Sequence, residues 1–98
     1  MTRVVVRPAA AADIDDAYRW YEAQGAGLGD EFLDALQRAR ERITENPEAY
    51  PEVHRGIRRL LIPARFPYGL YYRVHGDTIV VIACFHVRRD PRRWRGRS

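Results

Sequence analysis

Tyr68-Gly69-Leu70-Tyr71-Tyr72-Arg73-Val74-His75-Gly76-Asp77-Thr78-Ile79-Val80-Val81-Ile82-Ala83-Cys84-Phe85-His86 decides the fold. Its first eight residues alternate, with Leu70, Tyr72 and Val74 on one face of a strand and Tyr71, Arg73 and His75 on the other. Gly76-Asp77 is a tight hairpin signal. The returning strand, Thr78 to His86, sets Ile79, Val81, Ala83 and Phe85 on one face and Val80, Ile82 and Cys84 on the other. Both sets are apolar, so this strand is expected to be central, with both sides covered.

Upstream, Ile57 to Ile62 reads as a partner strand interrupted by Arg58 and Arg59, and Pro63 and Pro67 bracket the turn that follows. Pro47 to Arg55 is rich in turn formers and reads as a loop. Before it, Leu28, Phe32, Leu36, Ala39 and Ile43 form an apolar stripe at helical spacing. Asn46-Pro47 ends that helix, because a residue preceding proline avoids helical angles. An earlier helix begins near Ala9, with Ile14, Ala17, Tyr18 and Tyr21 on one face. Asp13, Asp15 and Asp16 place negative charge in its first turns. Gly25 to Gly29 breaks it, so the two helices form an antiparallel hairpin. Val4-Val5-Val6 is a short first strand that stops at Pro8. Val87 to Ser98 is a basic tail, in which Asp90-Pro91 suits the start of a last short helix. The class is α+β, ordered β-α-α-β-β-β, with the helical hairpin packed on a small, mainly antiparallel sheet. The tail is expected to cover part of the other face, and a partner peptide or a second copy the rest.

At 98 residues the expectation is one domain, 1–98. No apolar run is long enough to span a bilayer, and the apolar start is too short for a signal peptide, so a cytoplasmic protein without membrane contact is expected. Cys84 has no partner for an internal disulfide, and three scattered histidines with one cysteine argue against a metal site; no cofactor is expected. All 17 basic residues are arginine, whose planar fork suits phosphate and carboxylate. Charge is split along the chain. Residues 1–53 hold six arginines and eleven carboxylates, a net of −5; residues 54–98 hold eleven arginines and only Asp77 and Asp90, a net of +9. A basic half of this strength points to an acidic partner: RNA, DNA or an acidic protein segment.

Ala12-Asp13-Ile14 and Trp20-Tyr21-Glu22 on the first helix, and Gly27-Leu28-Gly29-Asp30-Glu31-Phe32 opening the second, resemble the toxins of the RelE/ParE superfamily. The resemblance continues through Asn46-Pro47, Tyr50-Pro51, Ile57-Arg58-Arg59-Leu60-Leu61, Arg65-Phe66-Pro67-Tyr68 and Leu70-Tyr71-Tyr72-Arg73-Val74. It closes on Ile79-Val80-Val81-Ile82-Ala83, His86, Arg88-Arg89-Asp90-Pro91 and Trp94. Nearly the whole chain is covered, in order. The resemblance implies the toxin of a type II toxin–antitoxin pair, neutralised by a cognate antitoxin that supplies an acidic, partly disordered segment.

The superfamily divides by target. One branch resembles ribosome-dependent mRNA endoribonucleases. For that chemistry the candidates here are His86 as acid–base group, with Arg58 and Arg88 to neutralise phosphate. Against it, Tyr68-Gly69 stands where that branch tends to carry a basic residue. The other branch resembles non-enzymatic inhibitors of DNA gyrase. The Phe66-Pro67-Tyr68 turn and the His86-to-Trp94 motif are more similar to this side, for which Arg59, Arg65, Tyr68, Arg89, Arg92, Arg93 and Trp94 are the candidates for binding target or antitoxin.

Overall fold

A computed structural model describes residues 2–63 and 65–97, so Met1, Ala64 and Ser98 lie outside the description. The element order is β1 (Arg3–Val6), α1 (Pro8–Gln24), α2 (Leu28–Glu45), β2 (Glu52–His54), β3 (Ile57–Leu61), β4 (Tyr68–His75), β5 (Thr78–His86) and α3 (Arg92–Arg95). This is the expected α+β arrangement, with one strand added. The five strands form a sheet in the order β1-β5-β4-β3-β2. Among the described residues β1 pairs with β5 in parallel, and the other pairs are antiparallel.

β2 falls in the segment expected to be a loop. Three residues carry too little alternation to register as a strand, and the pairing of β2 with β3 is itself irregular between Glu52 and His54. The segment before it is fastened by side chains: the Tyr72 hydroxyl donates to the Pro47 carbonyl at 2.6 Å, and the Arg58 guanidinium donates to the Tyr50 carbonyl at 2.7 Å and the Glu48 carbonyl at 3.2 Å.

α1 begins at Pro8, one residue earlier than expected, because proline at the first helical position has its backbone angle already set. The acids read as lying in its first turns therefore lie further in, and its first turn holds none. Ala10, Ala17 and Tyr21 are its buried residues. Tyr18 turns toward the start of α2, where a Cβ on Gly29 would lie 2.8 Å from its ring. The helix-to-helix turn needs Gly27 at φ +84, a left-handed conformation that favours glycine. Glu22 of α1 closes the turn: its carboxylate accepts the backbone N–H of Gly27 at 3.1 Å and of Gly29 at 2.9 Å, capping a helix other than its own.

The principal core lies between the helical hairpin and the sheet. Phe32, Leu36, Ala39 and Ile43 of α2 pack with Leu60, Leu70, Tyr72, Ile79, Val81 and Cys84 of the sheet. Four rings, Tyr21, Phe32, Phe66 and Tyr68, close one end of it, with centroids 5.0–5.9 Å apart. Each such pair is worth about 0.5–1.5 kcal/mol beyond its burial. A second, smaller core lies on the opposite face, where Trp94 of α3 stacks on Tyr71 at 4.4 Å above Ile57, Ile82, Ala83 and Phe85. The tail thus covers part of the second face, and Leu61 and Val5 on the same side stay exposed.

One expectation about β5 is corrected. Tyr71 pairs with Ala83, but Tyr72 pairs with Val81, so Ile82 is an extra residue in β5, a β-bulge. A bulge shifts the alternation by one. Ile79 and Val81 face the helices, as expected; Ala83 and Phe85 do not join them but turn to the α3 side, while Cys84 faces the helices. Periodicity in the sequence cannot show this, because the residues on either side of the bulge are all apolar.

Candidate functional site

β1 runs beside β5 from Thr78 to Val81, so among the described residues no strand lies against the outer edge of β5 past the bulge. Two side chains from distant elements take up its polar groups. Asp13 of α1 accepts the Cys84 backbone N–H at 3.1 Å, and Arg97 of the tail donates to the Ile82 carbonyl at 3.2 Å. Asp13 and Arg97 also pair with each other at 2.5 Å, largely out of solvent. Burial, and secondarily Asp13, pushes the Cys84 thiol up to about 12, so the sulfur is an uncharged core atom.

Beside this edge a cleft of about 760 Å³ opens between α1 and the end of β5. Ala17, Trp20 and Tyr21 form its α1 wall, and Tyr68, Cys84 and His86 its sheet wall; Arg65, Arg88 and Arg89 line it together with Asp13 and Asp16. Five of the expected residues therefore meet here: Arg65, Tyr68, His86, Arg88 and Arg89. His86 lies opposite Tyr68, their rings 5.5 Å apart, and its Nδ1 accepts the Arg88 backbone N–H at 3.1 Å. Burial raises the Tyr68 phenol above its ordinary value, against the opposing pull of Arg89. Arg65 is engaged by Glu31 of α2 at 3.1 Å, an exposed pair.

The other expected residues are elsewhere. Arg58, fastened to the loop before β2, pairs across the sheet with Tyr72, whereas His86 pairs with Tyr68. That separates Arg58 and His86 by four residues along β4, about 13 Å, and by two strand spacings across it. Arg59 lies on the α3 side of the sheet, its stem over Gly69, where a Cβ would come within 2.9 Å of the Arg59 Cδ. A guanidinium from β3 therefore occupies the neighbourhood in which β4 itself offers glycine. Arg92 pairs with Asp90 at 2.6 Å, and that bond holds the Asp90 carboxyl below the usual range. Asp90 also accepts the Arg92 backbone N–H at 3.0 Å at the start of α3. Trp94 is 4 % exposed, so its ring holds the tail to the sheet and offers little surface to a partner.

Sequence reasoning did not place Asp13, Asp16, Trp20 or Arg97 among the site residues. Trp20 is 57 % exposed, the most exposed large apolar side chain among the described residues, and its ring stands edge-on to Tyr21 at 5.0 Å. Its signal is a tryptophan off the buried stripe of an acidic helix. Asp13 and Arg97 carry no local signal, since their pairing spans 84 positions. Among the described residues no three metal-ligating side chains come together.

The family described as "ParE toxin of type II toxin-antitoxin system, parDE" matches residues 4–91. The chain belongs to the ParE toxin family. No curated protein matches it. One solved structure, titled "Chromosomal ParDE TA system from P. aeruginosa", resembles this toxin with a TM-score of 0.67 at 24% identity, over 90% of this chain and 98% of that one, a likeness of fold. Membership in a type II system implies an antitoxin partner for the toxin. Among its described residues no helix is long and apolar enough to cross a membrane.

Proposed function

We propose that this toxin, acting as one domain in the cytoplasm, blocks DNA gyrase, and that an acidic, partly disordered segment of its cognate antitoxin holds it silent. The observation that carries the choice of target is the separation of Arg58 from His86. RNA cleavage needs the acid–base group and the cations that neutralise phosphate around one reacting phosphorus. Here one candidate cation is committed to the Tyr50 and Glu48 carbonyls at a distance from the histidine. The His86 ring, for its part, receives the Arg88 N–H and so shapes the chain reversal after β5. The cleft suits the antitoxin: Ala17, Trp20 and Tyr21 offer apolar contact, and Arg88 and Arg89 offer charge to an acidic chain.

The test is induction of the toxin in bacteria lacking the antitoxin, with timed pulse-labelling of DNA and protein synthesis, followed by a supercoiling assay with purified gyrase. DNA synthesis stopping first, with gyrase inhibited at stoichiometric toxin, is the expected result. Protein synthesis stopping first, with fragmented mRNA, would establish the endoribonuclease reading instead.

A further inference from the structure

The face of the sheet that carries α3 holds a cluster of charge of which the cleft uses only Arg89. Three guanidinium groups surround the buried ring of Phe85: Arg97 at 4.8 Å, Arg89 at 5.5 Å and Arg93 at 5.8 Å from its centroid. Arg59 comes at the same place from β3, because its stem crosses Gly69 and Gly69 pairs with Phe85. Of the four, only Arg97 has a carboxylate, that of Asp13; among the described residues Arg59, Arg89 and Arg93 form no ion pair. The Arg59 Nε is in addition buried without a hydrogen-bond partner. Arg73 and Arg95 extend the same sign of charge toward His54, whose imidazole is lowered from its ordinary value by desolvation and then by Arg95, Arg55 and Arg73.

Like charges gathered this way repel one another, and among the described residues no carboxylate pairs with Arg59, Arg89 or Arg93, Asp90 acting on Arg93 only at longer range, so the cluster suits an anion from outside. Its form selects the kind of anion. Tyr71, Phe85 and Trp94 beneath the arginines are all buried, and the exposed large apolar side chains on this side, Leu61 and Val5, lie on β3 and β1 away from them. A partner therefore meets guanidinium forks rather than an apolar anchor. Contacts to a nucleic-acid backbone are dominated by such charge. The Arg89 and Arg93 charges lie within about 11 Å of each other, given their distances from one ring. Over such a length a duplex presents about six phosphate charges.

We propose that the α3 face of the sheet binds the phosphate backbone of a nucleic acid, without sequence preference, through Arg59, Arg89 and Arg93. This does not depend on the gyrase reading. With no exposed aromatic ring on this face among the described residues to stack on a base, duplex DNA and duplex RNA are both ligands.

The experiment is fluorescence anisotropy of the full-length toxin with a labelled 20-base-pair DNA duplex, a second duplex of unrelated sequence and an RNA duplex, each from 50 to 200 mM salt. Three phosphate contacts predict a slope of log K against log salt of about −2.7, a loss of roughly 40-fold across that range. Arg89→Gln/Arg93→Gln, changes at two exposed positions, brings the slope to about −1. Arg19→Gln/Arg38→Gln on the helical hairpin leaves it unchanged. Either of two results overturns the proposal: unaltered binding by the Arg89/Arg93 variant, or a slope near zero. A polyglutamate chain of matched charge that displaces the duplex as well as unlabelled DNA does also overturns it, assigning the face to an acidic protein segment.

Discussion

Asp13 and Arg97, 84 positions apart in the chain, meet at 2.5 Å beside the unpaired edge of β5 and between them satisfy two backbone groups of that strand. The pair does what a neighbouring strand would otherwise do, and it ties the C-terminal tail to the first helix. Asp13→Ala removes the acceptor for the Cys84 N–H and leaves Arg97 without its counter-charge, which is expected to cost about 2–3 kcal/mol. Asp13→Asn keeps an acceptor and should cost less than half of that. Thermal unfolding checks both, with a midpoint drop for the alanine variant of about 10 °C or more.

Trp94 tests whether the tail is structural. Its stacking on Tyr71 closes the smaller core, so Trp94→Ala is expected to cost about 3 kcal/mol, the lower end of the range for deleting a buried aromatic. Because the ring is buried, the loss should appear in urea unfolding. Gyrase inhibition by the folded fraction should change little.

Tyr72 gives the fold an alkaline limit. Its hydroxyl bonds the Pro47 carbonyl, and burial pushes it up to about 12. A phenol raised in the folded state stabilises the fold fully below its ordinary value of 10.0 and stops doing so as the pH rises through 12. Stability should therefore fall between about pH 10 and 12, and Tyr72→Phe should flatten that decline while lowering stability at neutral pH by about 1 kcal/mol. Absorbance titration at high pH with parallel urea melts follows both.

Cys84 should be silent in the native protein. The thiol is buried and its pKa is pushed up to about 12, so the reactive thiolate is scarce and shielded. Alkylation by iodoacetamide should proceed only as fast as the chain unfolds, and 6 M urea should restore the rate of an ordinary thiol. Rapid native labelling would contradict the placement of Cys84.

Gly69 is a close-approach position. A methyl there would lie 2.9 Å from the Arg59 stem and 3.1 Å from the Tyr71 ring. Gly69→Ala should displace Arg59 at a stability cost of about 1–2 kcal/mol, readable as a lower unfolding midpoint.

The helices and four of the strands could be read from the sequence because burial there follows a regular period: Phe32, Leu36, Ala39 and Ile43 in α2, Leu70 and Tyr72 in β4. Boundaries set by local chemistry, such as Pro47 after α2, were also legible. What stayed hidden depends on contacts between distant residues. The Glu22 cap on α2, the Asp13–Arg97 pair and the strand status of Glu52–His54 each require a partner element to be in place. The candidate site was legible by residue type alone. Eleven arginines in the second half announce a charged surface, but only the fold separates Arg58, tied to a loop, from Arg59, Arg89 and Arg93 around Phe85.

The extra residue at Ile82 has a consequence for how this gene can change. It rotates the last part of β5 by half a turn relative to the first, so that Cys84 and His86 face the helices and Phe85 faces the arginines. Losing a single codon there would exchange the two sets, turning Phe85 toward the helices and His86 into the cationic cluster. No point substitution in the strand reaches so far. Relatives that differ in length at this position would therefore carry histidine and phenylalanine in swapped duties, however similar their sequences look on either side.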